Sequence, residues 1–307
     1  MPTTFQWTTP GPLVSAVADA THPIVSVKDP TIVFFNGEWH VYATTSDTKS
    51  RWSLVYFHFA DWPEAATASQ YYIDQNPRMA GYHAAPQLFF FAPQNKWYLI
   101  FQSGQPQYTT NDDPSRPEAW ITPQNFFAGT PVQTWLDFWV ICDAANCYLF
   151  FTSDDGNFYR SQTTVAAFPK GMSAPVNVMM DTKENLFEGG ATYFVKGTGK
   201  YLTLIEAIGP GNHRIYRSFV ADSLDGPWSP LAATVDSPFA GQRNVTFTAG
   251  SPWTLDISHG EMLRDGYDQT LTVDPCNLRF LYQGLDPAKS GVAYALLPWQ
   301  LGLLTAK

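Results

Sequence analysis

An all-β fold, a five-bladed β-propeller, is what the chain predicts, and three observations predict it. Apolar runs opened by an acidic or polar residue recur about every fifty residues: Asp29 in VKDPTIVFF and Asp137 in WLDFWVI lie 108 residues apart, and Glu188 in LFEGGATYFV follows 51 later. The half-way point of the long interval opens a further run, HAAPQLFFF, and another begins after His259. Each opening is followed by a turn signal and a second aromatic run, and most by a third. Such units cannot bury both faces alone, so they stack around an axis and bring equivalent positions together at one end of it.

The elements follow in order. Blade one has Asn36-Gly37 before WHVYATT, with SLVYFHF as its third strand; blade two has Gln94-Asn95 before KWYLIFQS. In blade three, Asp143 to Asn146 precede CYLFFTS and then NFYRSQT; in blade four, Gly197 to Gly199 precede KYLTLIEA and then HRIYRSF. Blade five has Pro275 to Asn277 before LRFLYQG, with GVAYALL expected as its third strand. It is irregular, with about 21 residues between His259 and Phe280, as a terminal blade that closes the ring can be. The alternative architecture is a pair of β-sandwiches.

No linker or charge block interrupts the 307 residues, so one domain is expected over 1–307. Charged residues are 15% and aromatics 16%, a balance that suits uncharged, hydrogen-bonding ligands such as sugars. A net charge of -9 with no basic stripe argues against nucleic acid. The sequence lacks a run of eighteen apolar residues, which excludes a membrane-spanning helix. The first twenty residues do not read as a signal peptide. Two features nevertheless point outside the cell: Asn244-Val245-Thr246 is an N-glycosylation acceptor, and Cys142 and Cys147 flank a turn where a cross-strand disulfide fits. Cys276 is then left over, expected buried and free. A secreted protein whose leader has been removed is the preferred account.

Carboxylates among hydrophobes are expensive unless paired, hydrogen-bonded or kept for catalysis. Any one of Asp29, Asp137 and Glu188 reads equally as a turn or cap residue, but three in register across three blades do not. Glycosidases use two such groups around an oxocarbenium-like transition state. His83, at the opening of blade two, is a candidate for the pocket or an ordinary strand-end residue; Trp97 and Tyr282 are candidates for packing on a sugar face or simply core. His213 and Arg214 are assigned to a structural hydrogen-bond network. Gly189-Gly190 lets backbone approach the axis closely. The chain shows neither a hydrolytic triad context nor a phosphate loop.

The segments HPIVSVKDPTIVFFNGEWHVYAT, APQLFFFAPQNKWYLIFQ, WLDFWVICDAANCYLFFTSDDGNFYRS, LFEGGATYF and HGEMLRDGYDQTLTVDPCNLRFLYQG resemble glycoside hydrolase family 62, the α-L-arabinofuranosidases that act on arabinoxylan. The resemblance runs from about residue 5 to the C-terminus and implies a five-bladed propeller and an inverting mechanism. It matches Asp29 to the general base, Glu188 to the general acid, Asp137 to the carboxylate that orients the acid and tunes its pKa, and Lys28 to a residue contacting the arabinose. It also implies a calcium ion on the axis beside His259, although hard cations prefer oxygen ligands. The expected reaction is removal of terminal arabinofuranosyl side chains from arabinoxylan by a monomer with no separate carbohydrate-binding module. The alternatives are a family 43-type β-xylosidase or arabinanase, and a non-catalytic carbohydrate-binding propeller.

Overall fold

The computed structural model describes residues 1–129 and 134–307, which form five sheets set around one axis as a five-bladed propeller. From the axis outward, blade one is Ile24–Phe35, Glu38–Asp47, Trp52–Phe59 and Tyr71–Tyr72, and blade two is Ala84–Phe91, Lys96–Gln102, Pro106–Asn111 and Gln124–Asn125. Blade three is Leu136–Cys142, Asn146–Thr152, Asn157–Thr164 and Val176–Met180. Blade four is Glu188–Val195, Lys200–Ile208, Arg214–Ala221 and Ser229–Pro230. Blade five is Ser258–Met262, Arg279–Gly284 and Gln300–Ala306, completed by Trp7–Thr9 from the other end of the chain. The inner strands of neighbouring blades pack side by side and close the ring. The Asn36-Gly37 turn is legible because both residues adopt positive φ, 51° and 85°, as a two-residue hairpin of the right twist requires.

Blade five departs from expectation in two ways. Gly291–Leu297 is not its third strand: the segment holds a short 3-10 turn, Tyr294–Leu296, and leaves Val292 and Tyr294 exposed, whereas Leu301 and Leu304 of Gln300–Ala306 enter the core. Ring closure rests on Trp7, which is fully buried, donates its indole N–H to the Phe239 carbonyl at 2.6 Å and packs on Phe5 and Phe239. The long interval after His259 is the second departure. Residues 263–273 leave blade five and cross beneath the others, the N–H groups of Phe90, Cys142 and Phe194 donating to the carbonyls of Tyr267, Gln269 and Leu271 at 2.8, 2.8 and 3.3 Å. Thr272–Val273 adds a parallel strand to Glu188–Val195. Those donors lie at the C-terminal ends of the inner strands, so this segment plugs one mouth of the axis and leaves the N-terminal ends for a site.

Aromatic rings fill the spaces between blades, as in the cluster of Phe89, Phe91, Tyr98 and Phe168, each burial contributing about 1.5–3 kcal/mol. Cys142 and Cys147 form a disulfide across their hairpin, with Cα atoms 4.0 Å apart. Cys276 is free but exposed rather than buried, because the Asp274–Asn277 turn that holds it lies at the surface. Asn244 is buried, its amide donating to the carbonyls of Phe5, Pro238 and Phe239, so the triplet around it is a structural joint closed to glycosylation in the folded chain. Among the described residues, no helix is long and apolar enough to cross a membrane.

Candidate active site

Every inner strand is interrupted near its N-terminal end by a bulge, where register shifts between Lys28 and Thr31, Ala84 and Gln87, Leu136 and Trp139, Glu188 and Ala191, and Ser258 and Gly260. The first bulged residue is left-handed in four blades: Asp29 (φ 46°), Ala85 (49°), Asp137 (56°) and Gly189 (63°). Asp tolerates this conformation better than most residues, and Gly adopts it freely. His259 is the bulged residue of blade five. The equivalent of Asp137 in blade four is therefore Gly189, and Glu188 stands one position earlier, level with Lys28. That is why the spacing is 51 and not 52, and in a strand one residue changes the direction a side chain takes.

Side chains of adjacent blades tie these bulges together. The N–H of Asp29 donates to Gln283 Oε1 at 2.7 Å, that of Ala85 to Thr44 Oγ1 at 2.8 Å, and that of Asp137 to Gln102 Oε1 at 3.2 Å. The result is one cavity of about 430 Å³, within the range of small-ligand sites, lined by Lys28, Asp29, Asp137, Glu188, Arg214 and His259 together with Trp52, Tyr82, Gln102, Phe187 and Tyr294. Lys28 Nζ lies 3.4 Å from Asp29 Oδ2, donates to the Tyr294 hydroxyl at 3.3 Å and sits 4.2 Å from the Trp52 ring centre. His259 Nδ1 stands between two carboxylates, 3.5 Å from Asp29 Oδ1 and 3.7 Å from Asp137 Oδ1. Asp137 Oδ2 accepts the Gly189 N–H at 2.8 Å, which couples blade three to the residue after Glu188. A second cavity of about 380 Å³ shares Trp52 and Tyr82 with the first.

The carboxyls differ in charge preference. Burial pushes Asp29 up, but the Lys28 and His259 charges and the Thr44 hydroxyl outweigh it and hold it below the ordinary range. Glu188 is raised well above that range by burial, then by Glu206 and Asp137, against the pull of Arg214. Asp137 is raised by burial and by Asp29, against His259. A carboxylate kept ionised and a carboxyl kept protonated in one cavity are the two halves of an acid–base pair.

Three expected pocket residues lie elsewhere. His83 is buried against Phe101, because the blade-two counterpart of Asp29 is Ala85, two residues on. Trp97 packs in the core with Phe35, Phe90 and Tyr267. Tyr282 is buried beside Trp253 and the close backbone of Gly302. Arg214, assigned from sequence to the scaffold, lines the cavity instead, its Nη1 3.6 Å from Glu188 Oε1, while His213 stays with Asp256. Glu206, which the sequence reading does not reach, is fully buried directly across from Glu188. Its signal, a glutamate inside the apolar run LTLIEAI, was available. Among the described residues, no group of three His, Cys, Asp or Glu side chains is placed to hold a metal ion by itself, so a cation at His259 would need waters to complete its shell.

The chain matches the model of Glycosyl hydrolase family 62 over residues 6–305. It is 45% identical over 307 residues to alpha-L-arabinofuranosidase C of Cellvibrio japonicus (strain Ueda107), an alignment covering 99% of this chain and 47% of that protein. The chain thus spans about half the length of that curated relative. Among solved structures, the catalytic domain of a Coprinopsis cinerea GH62 alpha-L-arabinofuranosidase superposes with a TM-score of 0.96 at 47% identity, covering 100% of this chain and 98% of that one. A GH62 hydrolase in complex with xylotriose gives 0.94 at 44% identity, covering 99% and 98%.

Proposed function

The chain belongs to glycosyl hydrolase family 62, and from that premise we propose that it hydrolyses terminal α-L-arabinofuranosyl side chains of arabinoxylan. The observation that carries the reading is the meeting of Asp29, Asp137 and Glu188 in one cavity, with Asp29 biased toward its charged form and Glu188 toward its protonated one. Glu188 donates its proton to the glycosidic oxygen as the bond to the anomeric carbon breaks. Asp29 takes a proton from a water that attacks that carbon from the opposite face, which gives inversion. Asp137 holds the backbone beside Glu188 through Gly189, and its charge helps keep the acid protonated. Lys28 and Arg214 supply donors for the sugar hydroxyls. The adjoining cavity across Trp52 and Tyr82 offers a polymer backbone room beside the pocket, in keeping with the relative solved with xylotriose.

The proposal extends to a calcium ion held at His259, whose positive charge would favour ionised carboxylates nearby; the reaction steps above do not pass through it. Its test is a melting temperature raised by calcium over chelator, and an unchanged one removes the ion. Secretion is part of the same reading and is supported by the Cys142–Cys147 disulfide, which belongs to oxidising compartments. A monomer suits a ring whose strand edges are largely paired or short. The deciding experiment incubates the protein with wheat arabinoxylan and with debranched arabinan and identifies the sugars released. Arabinose from arabinoxylan, appearing first as the β anomer by proton NMR, is expected. An α anomer reassigns Asp29 as a nucleophile, xylose or arabinan fragments favour a family 43-type activity, and no release favours a binding propeller.

A further inference from the structure

The middle-strand residue opposite each bulge is Thr44, Gln102, Thr152 and Gln283 in blades one, two, three and five, and Glu206 in blade four. Three of the neutral residues perform a scaffold task, accepting the N–H of the bulged residue in the next blade. Glu206 brings a full charge to that position and is entirely buried. A glutamine would fill the same space without the desolvation penalty of a carboxylate, so the charge exceeds what the scaffold needs. Its surroundings show what it faces. Glu206 Oε1 accepts the Ser258 hydroxyl at 2.8 Å, and Arg214 Nη1 stands 3.6 Å from both Glu206 Oε1 and Glu188 Oε1. The guanidinium is held between them on the Phe187 ring, 4.1 Å from its centre.

We propose that Glu206 is a positioning residue for the acid: it takes the larger share of the Arg214 charge, so that Glu188 across the strand pair keeps its proton in the free enzyme. This rests on Glu188 being the acid. Two glutamates share one arginine, and among the described residues only Glu206 has a hydroxyl donor besides, so the negative charge settles on Glu206 and the proton on Glu188. The other charged or titratable groups facing the pair are Asp137, Lys28 and Tyr294 toward Glu188, and Asp137, His259 and Tyr216 toward Glu206. Burial raises both glutamates, and after burial the nearest cause of the rise at Glu188 is Glu206, ahead of Asp137.

The test is the pH dependence of arabinose release by Glu206→Gln, which keeps the shape and the acceptor for Ser258. Removing the anion lowers the pKa of Glu188, so the high-pH limb of kcat/KM, where the acid loses its proton, moves down by about one unit or more. The expected loss lies in kcat with little change in KM, and it is smaller for an aryl arabinofuranoside whose phenolate leaves without protonation. Glu206→Asp, which keeps the charge, leaves the limb closer to its original place. If Glu206→Gln does not fold by its melting curve, Ser258→Ala is read instead; it weakens the Glu206 anion and moves the limb the same way by less. A folded Glu206→Gln with an unmoved limb and equal losses on both substrates overturns the proposal. Near-normal turnover by Glu188→Gln in the same assay overturns the assignment of the acid itself.

Discussion

In blade two the bulge carries Ala84 and Ala85 opposite Gln102; in blade four it carries Glu188 and Gly189 opposite Glu206. The strand order, the register shift and the left-handed backbone are the same in both. Blade two holds an alanine in the left-handed conformation, at a cost of roughly 1–2 kcal/mol, with no carboxylate at its bulge. Convergence on the axis is thus a property of the repeated backbone, and chemistry is added by the residue types at three positions per blade. Blade four puts two carboxylates into those positions and must then use glycine as the bulged residue, because a Cβ there would meet the Tyr216 hydroxyl at 2.7 Å.

The largest expected effect removes the chemistry and leaves the backbone. Glu188→Gln and Asp29→Asn each lower arabinose release from arabinoxylan by about three orders of magnitude, with melting temperatures near wild type. Activity in the parent enzyme spans a pH window whose sign follows from the two shifts. In the proposed roles, Asp29, held low, stays a base as pH falls, and Glu188, held high, stays an acid as pH rises until it loses its proton. Turnover within tenfold of wild type in either variant breaks the contrast between the blades.

The repeat was legible because backbone turns and strand periodicity have local causes: Asn36-Gly37 and the aromatic runs name their own conformations. Asp29, Asp137 and Glu188 were legible for the same reason, as carboxylates at strand openings. What stayed hidden is register inside the bulge. His83 opens its run as Asp29 nearly does, yet two residues separate it from the left-handed position, and it ends in the core with a pKa pushed down to about 4 by burial. Trp97 and Tyr282 show that aromatic identity alone does not tell a sugar platform from packing, whereas Trp52 and Tyr294 reach the cavity from a third strand and a loop. Arg214 and Glu206 become partners only when blade four folds, since nothing local in the sequence pairs them with Glu188.

A smaller effect follows from the glycine of blade four. Gly189→Ala places a methyl 2.7 Å from the Tyr216 hydroxyl and 3.3 Å from Glu206 Oε2, at a φ of 63°. Tyr216 has little freedom to retreat, because its hydroxyl accepts the Gly260 N–H at 3.2 Å and reaches the Gly189 carbonyl at 3.3 Å. The variant is expected to lose about 2 kcal/mol of stability in urea titration. Its kcat/KM falls by at least about tenfold, since the shift acts on the residue next to the proposed acid. Unchanged stability with unchanged activity would mean that the approach at Gly189 relaxes freely.

The smallest effect comes from the reciprocal exchange in blade two. Ala85→Gly restores the residue type that the left-handed conformation prefers, at a φ of 49°, and removes a backbone penalty of about 1–2 kcal/mol. Against that gain stand the lost burial of one methyl, about 0.8 kcal/mol, and the greater unfolded-state freedom of glycine, about 0.5–1 kcal/mol. The Ala85 N–H continues to donate to Thr44, since the exchange leaves the backbone in place. These terms nearly cancel, so the urea midpoint should correspond to a change within about 1 kcal/mol, half or less of the loss expected for Gly189→Ala in the same titration. The pair of exchanges separates backbone conformation from contact, because the two sites have nearly the same φ and a Cβ at Gly189 meets the Tyr216 hydroxyl. Equal losses at both positions would show that side-chain packing at the bulge, and not the carboxylate and tyrosine behind Gly189, sets the residue each blade can carry.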